Sequence, residues 1–246
     1  MSALGEFWDF MSNGDNWEGA RGIPVRTWAT VKISAAATAF SALVAIPPAV
    51  WLAHIRRGGL LAVSFVNIGR ALPSFGIIAL VLPISIAWGF GLGFWPTFVA
   101  LVLLGVPPIF TNSYTGVREV DRGIVEAATG MGLTGRAVLT GVEIPNAMPL
   151  IITGIRLSAV QIVATATLGA LVGYPCLGSY VVEGKAQLDD GKLLAGAVLI
   201  AVLAIVTELA FSSFQRAATP WLRDRRGTGV GTRVAPVELR AEGLNV

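Results

Sequence analysis

The sequence predicts an all-α integral membrane protein with about five transmembrane helices and a helical loop between the third and the fourth. Two observations come from composition: 54% of the 246 residues are hydrophobic and only 13% are charged. A soluble domain of this length needs a far more charged surface. The third observation is that several apolar runs reach about 20 residues, the length that a helix needs to cross a bilayer.

The predicted spans follow from the apolar runs and from the polar or glycine-rich breaks between them. They lie at about Thr27–Ala53, Arg70–Ala87, Trp95–Val117, Pro149–Gly173 and Leu193–Phe214. Residues 60–69 either extend the second helix or lie in the membrane interface, because their apolar content allows both.

The distribution of basic residues predicts the orientation. Nine arginines lie near span ends on the side of the loop after the third span, whereas four basic residues lie on the other side with seven acids. Because basic residues mark the cytoplasmic side, we expect a multi-pass protein of the cell (inner) membrane with an outer N-terminus and a cytoplasmic C-terminus. The chain then divides into an external segment (1–26), a transmembrane domain (27–218) and a flexible cytoplasmic tail (219–246).

One long polar loop (residues 118–147) separates the third and fourth predicted spans. Its charges and glycines exclude it from the bilayer, where lipid-exposed irregular backbone is not tolerated. Glu126 and the two alanines after it favour a helix, Gly132 can adopt the positive φ of a helix-ending turn, and Pro145 is expected to stop a second piece. The sequence predicts a short helix, a corner and another short helix; an ordinary amphipathic surface loop is the alternative.

The sequence lacks the residue sets that catalysis or cofactor binding requires. Cys176 and His54 are the single residues of their kinds, which excludes an internal disulfide and most histidine-based zinc sites. The glycines before Lys185 and Lys192 lack the other residues of a phosphate-binding loop. We therefore predict no enzyme activity, metal or cofactor on this chain. The arginines follow span ends, which favours membrane orientation over nucleic-acid binding.

The polar loop also contains a spaced motif: Glu126-Ala127-Ala128, three residues, Gly132, nine residues, then Val142-Glu143-Ile144-Pro145. This pattern resembles the signature of the permease subunits of binding-protein-dependent ABC importers, departing from it by Val for Ile and by Ile for Leu. The resemblance implies that the loop docks into a cleft on an ATPase subunit. The coupling residues it implies are Glu126, Ala127, Ala128, Gly132, Val142, Ile144 and Pro145.

The same resemblance implies the partners of the chain. They are ABC ATPase subunits that bind ATP and Mg²⁺, an extracytoplasmic solute-binding protein, and a second permease subunit that is identical or related. ATP-driven closure of two ATPases would bring two polar loops together and switch the bundle between inward-facing and outward-facing states. This scheme needs a bundle with two states whose populations the nucleotide biases.

Three segments indicate the cargo. The stretch from Asn67 to Gly76, the stretch from Thr167 to Gly173, and Leu177-Gly178 are similar to osmoprotectant permeases, which import glycine betaine, carnitine and choline. A permease for an amino acid such as methionine is the alternative cargo class. A gradient-driven secondary transporter is the alternative mechanism, and it would be expected to show paired intramembrane charges and repeat symmetry. The sequence shows neither.

Polar residues within the spans are candidates for a translocation pathway, because uncharged polar side chains in a bundle face protein or water more often than lipid. Hydrogen bonding between helices explains them equally well. Arg156 either snorkels or faces a cavity, while Glu208 is expected to snorkel. Gly169 and Gly173 predict close helix packing. The pathway candidates are Ser74, Asn112, Tyr114, Arg156, Gln161 and Thr165.

Overall fold

The computed structural model describes residues 3–56, 63, 64, 66 and 73–218, and within this part all regular structure is helical. The predicted all-α class is therefore confirmed. Nine α-helices are described, α1 to α9 in chain order. They are Ala3–Ser12, Ile23–His54, Ser74–Ala87, Phe94–Arg118, Arg122–Gly130, Gly135–Val138, Ile144–Thr165, Gly178–Gln187 and Asp190–Ala218.

Four of the described helical runs are long and apolar enough to cross a membrane: Ile23–His54, Phe94–Arg118, Gly135–Val172 and Asp190–Ala217. A fifth apolar helix, α3, has 14 residues. That corresponds to about 21 Å, less than the ~30 Å of a hydrocarbon core. The prediction of about five spans is therefore approximately right. Arg70 and most of residues 60–69 lie outside the described residues, as do Asn67 and the tail from 219 to 246.

Helix α4 is the centre of the bundle, packed between α2 and α7. The three helices meet at Gly105, where an added Cβ would lie 2.6 Å from Oγ of Ser41, 2.7 Å from Cδ1 of Ile162 and 2.8 Å from Oγ of Ser158. The Ser158 hydroxyl donates a hydrogen bond to the carbonyl oxygen of Gly105 at 3.1 Å. A residue without a side chain is therefore what allows these backbones to approach so closely.

Helix α9 is the most exposed of the long helices. It packs against α1, α7 and α8, yet only 11% of its most apolar 18-residue window is buried, against 44–56% in the other three long runs. Its side chains are strongly apolar. Most of this surface is therefore available to lipid or to a second chain.

The end of the bundle away from the polar loop contains two short helices, α1 and α8, that the sequence did not predict. A cluster of charges holds this end together: Glu183 on α8 contacts Arg26 of α2 and Lys192 of α9, each at 2.8 Å. The Arg26 guanidinium also lies over the ring of Tyr180, 4.2 Å from its centroid. Three helices are thereby joined through one carboxylate and one aromatic ring.

Acidification is expected to weaken this charge cluster. Burial acts to raise the pKa of Glu183, but hydrogen bonds from Lys192 and Arg26 outweigh it and hold that pKa below its ordinary value of 4.5. A carboxyl group whose pKa is lower in the folded chain than in the unfolded chain stabilises the fold at pH values above its unfolded-state pKa. This stabilisation is lost as the pH falls through the folded-state pKa. In detergent at neutral pH, wild type should therefore have a higher melting temperature than Glu183→Gln. This difference in melting temperature should vanish in acid. An unchanged difference in acid would contradict this account.

The two glycines predicted to pack closely behave differently. Gly169 lies in the 3₁₀ turn Ala166–Val172, and its added Cβ would lie 2.7 Å from Cγ2 of Thr97 on α4. Gly173 has no atom within 4 Å of an added Cβ but has a φ of +84°. The packing prediction is right for Gly169 and wrong for Gly173, because Gly173 ends the turn in the left-handed conformation that glycine adopts without steric cost.

Candidate functional site

The first half of the polar loop forms helix α5, which begins immediately after α4. The Asp121 side chain caps it by accepting a hydrogen bond from the Gly123 backbone N–H at 2.7 Å. Such a cap satisfies one of the free N–H groups of a helix start. Glu126 and Ala127 are exposed, whereas Ala128 is buried. The motif thus presents Glu126 and Ala127 outward and anchors the helix through Ala128.

The corner of the loop lies at Gly132, as predicted. Its φ is +87°, and no atom lies within 4 Å of an added Cβ. The N–H groups of Gly132 and Leu133 donate to the carbonyl oxygens of Thr129 and Ala128 at 2.9 and 3.3 Å. Backbone conformation, not space, therefore explains glycine at this position.

The second half of the loop is not a separate short helix, so the prediction that Pro145 stops it is wrong. Helix α6 continues through a π-helical turn, Leu139–Glu143, into α7, and Gly135–Val172 forms one helical run of 38 residues. In the π turn the Ile144 N–H donates to the carbonyl oxygen of Leu139, five residues earlier. Proline lacks an N–H and clashes with the carbonyl four residues before it, and the wider π turn leaves room for it.

A pair of side chains that the sequence did not predict joins the polar loop to α2. Glu143 is 2% exposed, and its Oε2 atom lies within hydrogen-bond distance of Nδ1 of His54, the last residue of α2. The other side of the same imidazole faces the start of α6, because Nε2 would lie 3.5 Å from a Cβ added at Gly135. No local pattern in the sequence predicts this pair, because 89 positions separate the partners.

Loss of the imidazole is expected to destabilise the chain. His54→Leu leaves the buried carboxylate of Glu143 without its partner, which should cost about 3 kcal/mol. Thermal unfolding in detergent measures the loss. The double variant with Glu143→Leu should recover part of it, because no buried carboxylate then remains. A melting temperature of His54→Leu equal to that of wild type would count against the pair.

A second polar network links α7 and α9 within the predicted spans. Nε of Arg156 lies 3.4 Å from Oε1 of Glu208, and Nη1 donates to Oε1 of Gln215 at 3.2 Å. The Gln215 amide in turn donates to Oγ1 of Thr153 at 2.9 Å. The expectation that these spans contain no charge pair is therefore wrong, whereas the snorkelling of Glu208 stays a prediction. An arginine and a glutamate on neighbouring helices can pair, and the free-energy cost of holding the pair in a membrane is lower than that of holding each charge unpaired.

The other pathway candidates are distributed over three helices. Ser74 begins α3, Gln161 lies within α7, and Thr165 is its last residue. The Asn112 amide donates to the carbonyl oxygen of Pro108 on its own helix at 2.8 Å. The Tyr114 ring stacks on Phe110 with 6.5 Å between the centroids.

An apolar cavity of about 510 Å³ lies between α2, α7 and α9, and none of the six candidates lines it. The candidates therefore do not meet in this cavity. Their place in a translocation pathway stays a prediction.

Comparison with known proteins identifies relatives over most of the chain. Residues 37–224 match the family described as binding-protein-dependent transport system inner membrane component. The carnitine transport permease protein OpuCB of Listeria monocytogenes is 33% identical over 220 residues, covering 89% of this chain and 95% of the relative. The glycine betaine/carnitine/choline transport system permease protein OpuCB of Bacillus subtilis is 35% identical over 188 residues, covering 76% and 84%.

Solved structures share the fold. An inward-facing structure of the MetNI methionine ABC transporter superposes with a TM-score of 0.69 at 21% identity, covering 78% of this chain and 94% of the matched chain. An amino acid ABC transporter crystallised with histidines gives a TM-score of 0.65 at 18% identity, covering 89% and 98%. At these identities the likeness concerns the helical architecture alone.

Proposed function

The chain belongs to the binding-protein-dependent transport system inner membrane components, the permease subunits of ABC importers, and we propose that it forms a translocation pathway for a small quaternary ammonium solute. Glycine betaine, choline and carnitine are the proposed cargoes. The observation that supports this cargo class is the identity of 33–35% to permeases named for carnitine, choline and glycine betaine transport. The three sequence segments similar to osmoprotectant permeases agree with it.

The polar loop is proposed to couple the chain to a separate ATPase subunit that binds ATP and Mg²⁺. Exposed Glu126 and Ala127 on α5 provide a contact surface. The corner at Gly132 then directs the chain into the helical run Gly135–Val172, which continues into the predicted fourth span. A partner that displaces the loop would therefore displace a transmembrane helix without an intervening flexible joint. The chain itself is proposed to have no enzymatic activity.

The orientation and the other partners complete the proposal. We place the polar loop and the C-terminus in the cytoplasm of the cell that carries this inner-membrane protein, because the arginines near span ends concentrate on that side. A solute-binding protein would deliver cargo at the opposite end, where a basin of about 860 Å³ lies beside Arg26 and Glu183. Aromatic side chains of the solute-binding protein would select the quaternary ammonium group of the cargo. A second permease subunit would cover the exposed apolar face of α9.

Reconstitution tests the proposal. Proteoliposomes would contain the chain with its ATPase and its solute-binding protein, and labelled glycine betaine, choline, carnitine and methionine would be offered in turn. We expect ATP-dependent uptake of at least one of the first three. Uptake of methionine alone would overturn the cargo class. Full-rate uptake without the ATPase would overturn the coupling mechanism in favour of a gradient-driven transporter.

A further inference from the structure

Three arginines meet in a pocket at the polar-loop end of the bundle. The pocket has a volume of about 330 Å³ and is lined by Arg56, Arg118, Arg122, Val125 and Glu126. Arg56 lies two residues beyond the end of α2, Arg118 is the last residue of α4, and Arg122 is the first of α5. The pocket therefore lies where two long helices end and the polar loop begins.

The charge of the pocket is not balanced by the acids of residues 3–56 and 73–218. Three other basic side chains have an acidic partner: Arg26 and Lys192 contact Glu183, and Arg156 contacts Glu208. Among the described residues no such ion pair forms at the three arginines of this pocket, although Glu126 lines it. Three guanidinium groups against one carboxylate leave an excess of positive charge in a confined volume.

One of these guanidinium groups is also short of a hydrogen-bond acceptor. The Nη1 atom of Arg118 is buried and has no hydrogen-bond partner among the residues that the structure describes. A buried donor without an acceptor is costly, and a guanidinium matches the oxygens of phosphate in a planar, two-bond geometry. The pocket thus presents both the charge and a free donor that an anion would satisfy.

We propose that this pocket binds a phosphate group with a net negative charge, supplied by the headgroup of an anionic phospholipid. The ends of long apolar helices lie at the headgroup level of a bilayer, and basic pockets between such ends bind anionic headgroups. Among the described residues that line the pocket, Val125 is the one apolar residue. The arginine side chains therefore dominate recognition of the phosphate group. A bound headgroup would tie the start of α5 to the membrane surface beside the coupling motif.

Native mass spectrometry of the purified chain tests the site without any transport partner. The chain in neutral detergent is incubated with phosphatidylglycerol or phosphatidylcholine of matched acyl chains, and retained lipids are counted. Wild type should retain phosphatidylglycerol preferentially. The variant Arg56→Gln/Arg118→Gln should bind it more weakly by about fivefold for each arginine removed. Arg136→Gln is the matched control, because Arg136 is an exposed arginine of the same loop that does not line the pocket.

Two further variants keep the test independent of folding. Arg122 is exposed, so Arg122→Gln removes one charge without disturbing the core, and it should also lower retention. Arg118→Lys keeps the charge and should retain more lipid than Arg118→Gln. Equal retention of both lipids by wild type, or equal retention of phosphatidylglycerol by wild type and the double variant, would overturn the proposal.

Two more measurements distinguish the sources of the ligand. If equilibrium dialysis shows that the arginine variants lose bound inorganic phosphate while phosphatidylglycerol retention stays unchanged, the headgroup is excluded and the ligand is the free anion. If the variants instead lose only the ATPase subunit in co-purification, the pocket is a protein contact and the lipid proposal fails. Loss of phosphatidylglycerol with retained ATPase supports the proposal.

Discussion

Gly132→Pro is expected to abolish ATP-dependent uptake while leaving membrane insertion intact. Proline fixes φ near −65°, whereas the corner of the polar loop requires a φ of +87° at this position. The variant must therefore rebuild the turn between α5 and α6 and reorient the exposed Glu126 and Ala127. Because the corner lies outside the membrane-packed core, the transmembrane helices should still assemble. Uptake in proteoliposomes and the yield of folded chain in detergent measure the two effects.

Two alanine variants serve as controls for this prediction. Gly132→Ala is strained by the positive φ but has open space around it, so we expect a cost of about 1 kcal/mol and partial uptake. Gly130→Ala adds a methyl group at the end of α5 where nothing lies within 4 Å, and it should transport normally. Normal uptake by Gly132→Pro would refute a coupling role for the corner.

Gly178→Ala is expected to destabilise the opposite end of the bundle by about 3 kcal/mol or more. An added Cβ would lie 2.1 Å from the carbonyl oxygen of Thr167 and 2.6 Å from its Cα. Both atoms belong to backbone, so no side-chain rotation relieves the clash. Helix α8 would have to move away from the 3₁₀ turn. That movement would strain the hydrogen bond from the Leu177 N–H to Oγ1 of Thr30.

Size-exclusion chromatography with fluorescence detection after heating measures this loss. Gly76→Ala is the matched control, because its added Cβ would meet only Pro73 atoms at 3.9 Å, an ordinary contact. It should leave the melting temperature close to that of wild type. A Gly178→Ala chain as heat-resistant as the Gly76→Ala chain would show that α8 is not held by this close approach.

The long helices and the loop corner could be predicted because their signals are local. An apolar run of about 20 residues by itself indicates a membrane-spanning helix. A glycine between two helix-forming segments by itself indicates a turn with positive φ. The continuity through Pro145 could not be predicted, because a π turn has no local sequence signature that separates it from a helix end. Helices α1 and α8 were missed for a related reason: they are short, and contacts with α9 stabilise them.

The side-chain pairs were beyond sequence reasoning altogether. His54 and Glu143 come from different parts of the chain, as do Arg156 and Glu208. Their partnership depends on how α2, α7 and α9 pack, and a single sequence contains no direct record of packing. Intramembrane charges were correctly singled out as notable, but their partners became known only from the fold.

The continuous helical run from Gly135 to Val172 can transmit a displacement from one end of the bundle to the other. One end of this run is the second half of the polar loop. Between its two ends, the run contacts α2 and α4 where Ser158 meets Gly105. With a rise of ~1.5 Å per residue in the α-helical part and ~2.0 Å in the 3₁₀ turn Ala166–Val172, the run extends about 35 Å from this contact towards the polar loop and about 25 Å the other way. If the run pivots at this contact as one rigid body, a sideways displacement of its polar-loop end moves the opposite end in the reverse direction by about seven-tenths as much. In the proposed transporter, with a second permease subunit beside this chain, pushing the two polar loops together would move the opposite ends of the two helical runs apart.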